Sequence, residues 1–367
     1  MADALADLCR HRLIAVDLEA DSMFHFKEKI CLIQIATETS SYIIDPLSIP
    51  DLSTLSEIFS NPDMVKILHG ADYDIRSLHR DYGITIANLF DTEMASRFLG
   101  NAETGLNTVL QKRFGVFLEK KYQKKDWSQR PLPAAMIEYA AKDTQYLIPL
   151  YGAHLKELTD KGRLEWVLEE CRDLTLVRSS SANERPLFLK VKGAGRLDPR
   201  SLAVLETLLE FRRTLAEAKD RPLFKVMGTA ALIKIAIAQP ATLEQLIETR
   251  VLSEKQINMY GPAMVKRIRD ALDLPADALP RYPRFRTRRI SNEESARLKR
   301  LRQWREQKAK NLEIDSGVLI NNAALSAIAE ADPKTSENLN ALPMLKNWQK
   351  KALGPDILSV LAHSENR

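Results

Sequence analysis

Cysteine is scarce in this chain: three residues in 367, at positions 9, 31 and 171. Odd in number, widely scattered and without CxxC spacing, they exclude a disulfide framework and a thiolate zinc site. A reducing cytoplasm is the expected compartment. Long apolar runs are missing too. The longest, "AALIKIAIA" at 230–238, is short and carries Lys234, far below the ~20 residues a membrane span needs. The opening "MADALADLCRHRLIAVDLEA" sets Asp7, Cys9 and Arg10 where a secretory signal requires its apolar core, so the sequence reads as a mature intracellular protein. No G-x-x-x-x-G-K-[ST] loop occurs, which excludes a P-loop nucleotide motor.

What is present is a soluble composition, 45% hydrophobic and 28% charged, on a chain too long for one ordinary core; two or three domains are expected. The net charge of +5 is unevenly placed. Between Arg281 and Arg305 ten Lys or Arg face only Glu293 and Glu294, a local +8 that leaves the rest at −3. Such a run suits a solvated linker and helix face. Yet "RYPRFRTRR" interleaves Tyr282 and Phe285 with arginines, as a phosphate-tracking segment with stacking groups does.

The first 160 residues alternate between two periods. "RLIAVDLEA", "KICLIQIAT" and "SYIIDP" read as three strands of a meander; "VKILHG" and "ANLFDT" add a fourth and a fifth. "DLSTLSEIFS" and "DYDIRSLHRDYG" have helical spacing between them, and after Thr92 the pattern is helical almost throughout. An α/β domain with a mixed sheet is therefore expected over 1–190, ending beyond the polar "RSSSANERP". The remainder repeats. A shift of 93 residues lays "ALIKIAIAQP" on "ALSAIAEADP" and "YGPAMVKRI" on "LGPDILSVL"; it also brings Phe211 onto Trp304 and Gln256 onto Gln349. One small all-α module is thus present twice, over 197–276 and 293–367, joined by the basic linker 277–292. Phe211 and Trp304 sit in apolar stripes and are expected in the cores.

Within the first domain, "AVDLEA" places Asp17 and Glu19 at i and i+2, on one face of a strand. Two carboxylates beside apolar neighbours repel each other and carry a desolvation cost, which a divalent cation removes. In "LHGADYDI" Asp72 and Asp74 follow a strand end; Asp72 is the better helix N-cap, leaving Asp74 to point back over the strands. In "EYAAKDTQYL" Tyr139 and Asp143 stand one turn apart on a late helix. Asp17, Glu19, Asp74 and Asp143 make four hard oxygen donors, the chemistry of Mg²⁺ or Mn²⁺. Two such ions clamp a phosphodiester, and the Tyr139 hydroxyl lies where it can orient an attacking water; a phenol pKa near ~10 argues against an obligate general base.

The order "DLE", "HGADYD", "YAAKD" resembles the three exonuclease motifs of the DEDD superfamily in its tyrosine-bearing branch. "CLIQIA", "FDT" and "KKYQKKDWSQRPL" are similar to the wider signature of the ribonuclease D family and the related exosome-associated nucleases, and the repeated module resembles the HRDC domain. The resemblance implies a ribonuclease H-like exonuclease domain followed by two HRDC domains. It also implies Asp17, Glu19, Asp74 and Asp143 as ligands of two divalent ions, with Tyr139 positioning the water. Hydrolysis from RNA 3′ ends to mononucleotides, and tRNA 3′-end maturation, come with it.

Other residues have two readings. Asp91 in "LFDTEM" suits a helix cap better than a fifth ligand, His69 a structural histidine, and Gln34 either face of its strand. "KKYQKKDWSQRPL" gathers Lys120, Lys121, Lys124, Lys125 and Arg130 around Tyr122 and Trp127, which suits single-stranded RNA entering a site or a solvated loop. Lys121, Tyr122, Lys125, Trp127 and Arg130, with Arg284, Arg286, Arg288 and Arg289 of the linker, are the candidate RNA contacts. The partner expected is RNA, in tRNA precursors or other structured 3′ ends, with no membrane; oligomeric state is open. Two further function classes remain: a DNA 3′-to-5′ exonuclease with the same chemistry, and an inactive nucleic-acid-binding scaffold.

Overall fold

The computed structural model describes residues 2–49, 51–179, 186–283 and 288–362. Five strands form one mixed sheet in the order β3-β2-β1-β4-β5: β1 Leu13–Ala20, β2 Ile30–Ala36, β3 Ser41–Ile44, β4 Val65–Leu68 and β5 Leu89–Asp91. The first three run antiparallel as a meander, whereas β4 and β5 lie parallel to β1. Every residue of β2, "ICLIQIA", is buried, because helices cover both faces of the central strands and no side can remain polar by default.

Contact clustering separates two compact units. One takes in Met1–Ala20, Ile30–Ser179 and Arg288–Arg367, the other Asp21–Lys29 and Ser180–Thr287. In the first unit the second helical module shares a continuous apolar core with the sheet domain: Leu301, Leu325, Trp348 and Leu353 join the cluster that contains Val16 and Phe90. Trp348 stacks on Trp166, ring centroids 4.7 Å apart, and meets Phe98 edge-on at 5.5 Å. Glu169 accepts hydrogen bonds from the backbone N–H groups of Asn347 and Trp348, each at 2.8 Å, and so satisfies orphan donors of the Asn347–Ala362 helix. Arg163 reaches the carbonyls of Phe98 and Leu312, both at 2.7 Å.

In the second unit the first module holds the hairpin tip 21–29. Asp220 lies 2.7 Å from His25 Nδ1 and accepts the Phe26 N–H at 3.1 Å, while Lys225 stands 4.3 Å over the Phe24 ring.

The sequence repeat extends to individual hydrogen bonds. Gln256 Nε2 donates to the Val226 carbonyl at 3.1 Å, and Gln349 Nε2, 93 residues on, donates to that of Leu319 at 3.0 Å. Arg212 binds the Met227 carbonyl at 3.1 Å; Arg305 binds that of Ile320 at 3.0 Å. Equivalent helices of the two modules, Thr229–Ala238 and Asn322–Ala331, both end in a left-handed residue, Gln239 and Asp332, with φ of 48° and 45°. Phe211 is buried and Trp304 packs against the core of its own unit, as their stripes require.

One expectation fails locally. Asp72 does not cap its helix: the N-cap of Asp72–Tyr82 is Ala71, and the Asp72 carboxylate instead takes Arg76 at 2.7 and 3.0 Å. An arginine one turn on offers a charge-assisted bidentate partner, which outweighs a single backbone N–H.

Candidate active site

Strand β1 carries Asp17 and Glu19 on the face that the Ala134–Gln145 helix covers, and that helix carries Tyr139 and Asp143. Together the four line one cavity of about 440 Å³, with His69, Asn107, Lys120 and Gln123 at its walls. Asp74, in the first turn of Asp72–Tyr82, is 7% exposed and does not line that cavity.

The charges of the carboxylates meet even where their surfaces do not. Burial pushes the Glu19 carboxyl up to about 9, with Asp17, Asp143 and Asp74 adding repulsion in that order. Burial raises Asp143 to about 7, helped by Asp17, and Asp17 to about 6 against a backbone N–H from Leu18. Asp74 is held well above the usual carboxylate range by burial, then by Asp17 and Asp91. Burial is the largest cause for all four, and neighbouring carboxylates add to it for Glu19, Asp74 and Asp143. Such a set of desolvated, like-charged oxygens fits hard divalent cations and rejects soft ones. Among the described residues no group of three or more His, Cys, Asp or Glu side chains is placed so that it could hold one metal ion.

Tyr139 is half-buried. Its ring meets Tyr122 edge-on at 5.6 Å and tilts against Trp127 at 6.2 Å. Burial, then Asp143, Glu19 and Asp17, raise its phenol further above the ordinary range, so it offers a neutral hydroxyl, a donor or acceptor of hydrogen bonds and not a base.

Asp91 works as a cap and does more. Its carboxylate accepts the N–H groups of Glu93 (2.8 Å) and Met94 (3.2 Å), and also those of Gly70 and Ala71, both at 2.9 Å. It therefore ties the end of β5 to the turn that aims the Asp74 helix. Gly70 is required there: its φ is +75°, and a Cβ would stand 2.8 Å from Glu93 Oε2. His69 Nδ1 lies 2.9 Å from Thr92 Oγ1, and burial lowers its pKa, a structural placement. Gln34 pairs directly across from Asp17 in the β1–β2 register and shares its face. It is fully buried, with neither amide group hydrogen-bonded.

The basic stretch divides. Lys121 and Tyr122 line a recess of about 280 Å³ that adjoins Tyr139 and Asp143, with Lys121 5.3 Å over the Tyr122 ring. Lys125 is exposed and lines neither space. Two candidates are corrected. Trp127 is 1% exposed, packed with Leu32, Met136 and Ala140, and offers no face for stacking. Arg130 is clamped on Asp45, both contacts at 2.6 Å, and on the Cys31 carbonyl at 2.8 Å; this pairing lowers Asp45 to about 2. Asp45 stands 85 residues away, so no local pattern could reveal it. Of the linker arginines, Arg284 and Arg286 lie outside the described residues. Arg289 is exposed, and Arg288 is engaged by Glu294 at 2.5 Å and Glu330 at 3.4 Å. Sequence reading passed over Asn107 and Gln123 on the cavity wall and Phe117, 68% exposed, beside the recess. Gln123 lies inside the basic stretch and Phe117 just before it, while nothing in the local sequence marks Asn107.

The raised carboxyls make the stability of the metal-free protein fall with pH. Between the unfolded carboxylate range near ~4 and the folded values, the native state binds more protons than the unfolded one, so the slope of stability against pH is negative. From pH 6 to 8 Asp143, until about 7, and Glu19, until about 9, supply it; Asp17, at about 6, is half-titrated at the lower end and adds only to the first part of the window. In EDTA the melting temperature is expected to drop by at least ~3 °C across that window, and added Mg²⁺ or Mn²⁺ to raise it more at pH 8 than at pH 6, where protons compete. Scanning fluorimetry reads both; a melting temperature that rises with pH contradicts the carboxylate cluster.

Residues 1–159 match the family model of the 3′-5′ exonuclease, and residues 201–268 and 294–361 each match that of the HRDC domain. Exosome complex component 10 of Rattus norvegicus is 35% identical over 242 residues, 64% of this chain and 27% of that protein; the chain thus spans about a quarter of such relatives. Ribonuclease D of Escherichia coli K12 is 30% identical over 283 residues, covering 76% of this chain and 75% of the relative. The crystal structure of Escherichia coli RNase D, described as an exoribonuclease involved in structured RNA processing, superposes with a TM-score of 0.72 at 25% identity, covering 99% of this chain and 97% of that one. Among the described residues no helix is long and apolar enough to cross a membrane.

Proposed function

This chain belongs to the ribonuclease D family of 3′-to-5′ exoribonucleases, and from that premise we propose that it removes nucleotides one at a time from RNA 3′ ends, releasing nucleoside 5′-monophosphates. The observation that carries this reading is the set of mutually repelling carboxylates of Asp17, Glu19, Asp74 and Asp143, Asp74 buried and the other three half-buried and facing one cavity beside the neutral hydroxyl of Tyr139. These four would hold two Mg²⁺ or Mn²⁺ ions, which when bound neutralise charge on the attacking and leaving oxygens of an in-line displacement.

The chain's own groups do the positioning. Tyr139, one helical turn before Asp143, orients the attacking water by hydrogen bonding, and its raised pKa keeps the hydroxyl protonated. Lys120 on the cavity wall and Lys121 in the adjoining recess meet phosphate charge, while Tyr122 offers a ring to the terminal bases. The substrates proposed are tRNA precursors and other structured RNA 3′ ends, in the cytoplasm.

The test is a uniformly labelled tRNA precursor incubated with Mg²⁺ or Mn²⁺ and with EDTA, beside a matched, equally labelled DNA oligonucleotide. Stepwise shortening with mononucleotide products is expected with metal and none with chelator, and the DNA is expected to be degraded more slowly. Activity that survives EDTA would overturn the metal reading, and a preference for DNA would overturn the substrate.

A further inference from the structure

The duplicated module permits a comparison of equivalent positions within one chain, and the two copies differ in both polarity and charge at one groove. In the second copy a cavity of about 520 Å³ opens between the short Ser336–Asn340 helix and the Asn347–Ala362 helix, over Gly354 and Pro355. Its walls are polar and basic: Ser336, Asn340, Asn347, Lys350 and Lys351.

Ninety-three residues earlier the same positions carry Leu243, Ile247, Glu254, Ile257 and Asn258. There the Leu243 side chain lies on the groove floor, close enough that a Cβ on Gly261 would stand 2.7 Å from its Cδ1. Ile257 is 8% exposed and belongs to the core of that module. In the second copy Ser336 is too short to reach the floor; the nearest atom to a Cβ on Gly354 is Leu339 Cδ2 at 3.3 Å. Replacing a leucine by serine uncovers the floor, and replacing isoleucine and asparagine by two lysines changes the walls from one negative charge, Glu254, to two positive ones.

The lysines are available. Among the described residues neither Lys350 nor Lys351 is ion-paired, in contrast to their neighbour Lys346, held by Glu170 and Asp173. Glu337, the acidic residue on the short helix, has its carboxylate hydrogen-bonded by Thr335. The apolar packing that this face has in the first copy is thus given up in the second, while the bonds of Gln256 and Arg212 recur at Gln349 and Arg305.

We infer that this groove of the second module binds the phosphodiester backbone of the RNA substrate, with Lys350 and Lys351 as phosphate contacts and Ser336, Asn340 and Asn347 as hydrogen-bonding groups. The inference rests on the exoribonuclease reading for the identity of the polyanion. Two lysine contacts to single-stranded phosphates contribute ~1.4 to the slope of log affinity against log salt, and no base specificity.

The full-length K350Q/K351Q protein tests it, with K350R/K351R as the charge-preserving partner. Anisotropy with a fluorescent tRNA precursor in EDTA, across a salt series, is expected to show a loss of about tenfold in affinity for the Gln variant, with the salt slope lowered by ~1.4. The Arg variant retains both, and all three proteins melt at the same temperature, which separates a lost contact from a damaged fold. Wild-type affinity and slope in the Gln variant overturn the groove assignment, including the case in which the face serves an acidic protein instead. A wild-type protein that binds the RNA through these lysines but never shortens it leaves the groove standing and removes the exonuclease reading.

Discussion

Asp143→Asn is expected to lower turnover on a 3′ RNA end by about a thousandfold or more, which corresponds to ~4 kcal/mol of transition-state stabilisation. Asparagine keeps the shape of the side chain on the Ala134–Gln145 helix and removes the charge that a divalent ion requires. RNA affinity measured in EDTA is expected to hold or rise, because one negative charge facing the phosphates is gone. Stability supplies an independent check. Asp143 is among the carboxylates that raise Glu19, so in the absence of metal the variant is expected to melt no lower than wild type at pH 8 and to show a shallower fall of melting temperature between pH 6 and 8. Loss of activity with an unchanged or higher melting temperature separates a missing ligand from a damaged fold. A rate within tenfold of wild type would sink the assignment of Asp143.

The second large effect concerns Gly100, where the sheet domain meets the second module inside one compact unit. Its φ is +90°, and a Cβ there would stand 2.0 Å from the main-chain carbonyl oxygen of Glu313. That carbonyl cannot retreat cheaply: Glu313 is itself left-handed, with φ of 54°, and the preceding carbonyl, of Leu312, accepts from Arg163 at 2.7 Å. Gly100→Ala therefore combines backbone strain with a clash against main chain, at about 4 kcal/mol, or a melting temperature lower by roughly 10 °C for a unit of this size. Gly83→Ala is the matched control. It has φ of +66° but nothing within 4 Å of the added methyl, so only the strain of about 1 kcal/mol applies. Thermal melts of the two variants decide it; equal losses would mean that the close approach at Glu313 is not enforced.

Several site residues were legible because their spacing expresses a backbone period. Asp17 and Glu19 share a face because strand side chains alternate, and Tyr139 and Asp143 do so because a helix turns once in about four residues. The 93-residue repeat likewise follows from the chain alone, since each module folds on its own hydrophobic pattern, and the equivalent bonds of Gln256 and Gln349 come with it. Charge and aromaticity were poorer guides. Trp127 and Arg130 looked like nucleic-acid contacts from composition, yet one is core and the other holds Asp45. Asp72 looked like a cap, and Arg76 claimed it. In each case a partner that composition does not specify made the better interaction. Asp91 shows the converse: a cap visible from the local pattern also binds Gly70 and Ala71, twenty residues back in the chain, and so orients the helix of Asp74.

The amino-acid sequence by itself determined the elements of this protein, its duplicated module, its acidic motifs and the chemistry that those motifs suit, because these follow from short-range periodicity and from the ionisable groups themselves. Tertiary structure alone decided which carboxylates feel one another, which basic and aromatic side chains remain free for a ligand, and that the second module shares its core with the sheet domain while the first holds the 21–29 tip. Burial and Coulomb interaction depend on distances through space, and residues far apart in the chain acquire those distances only when the core closes.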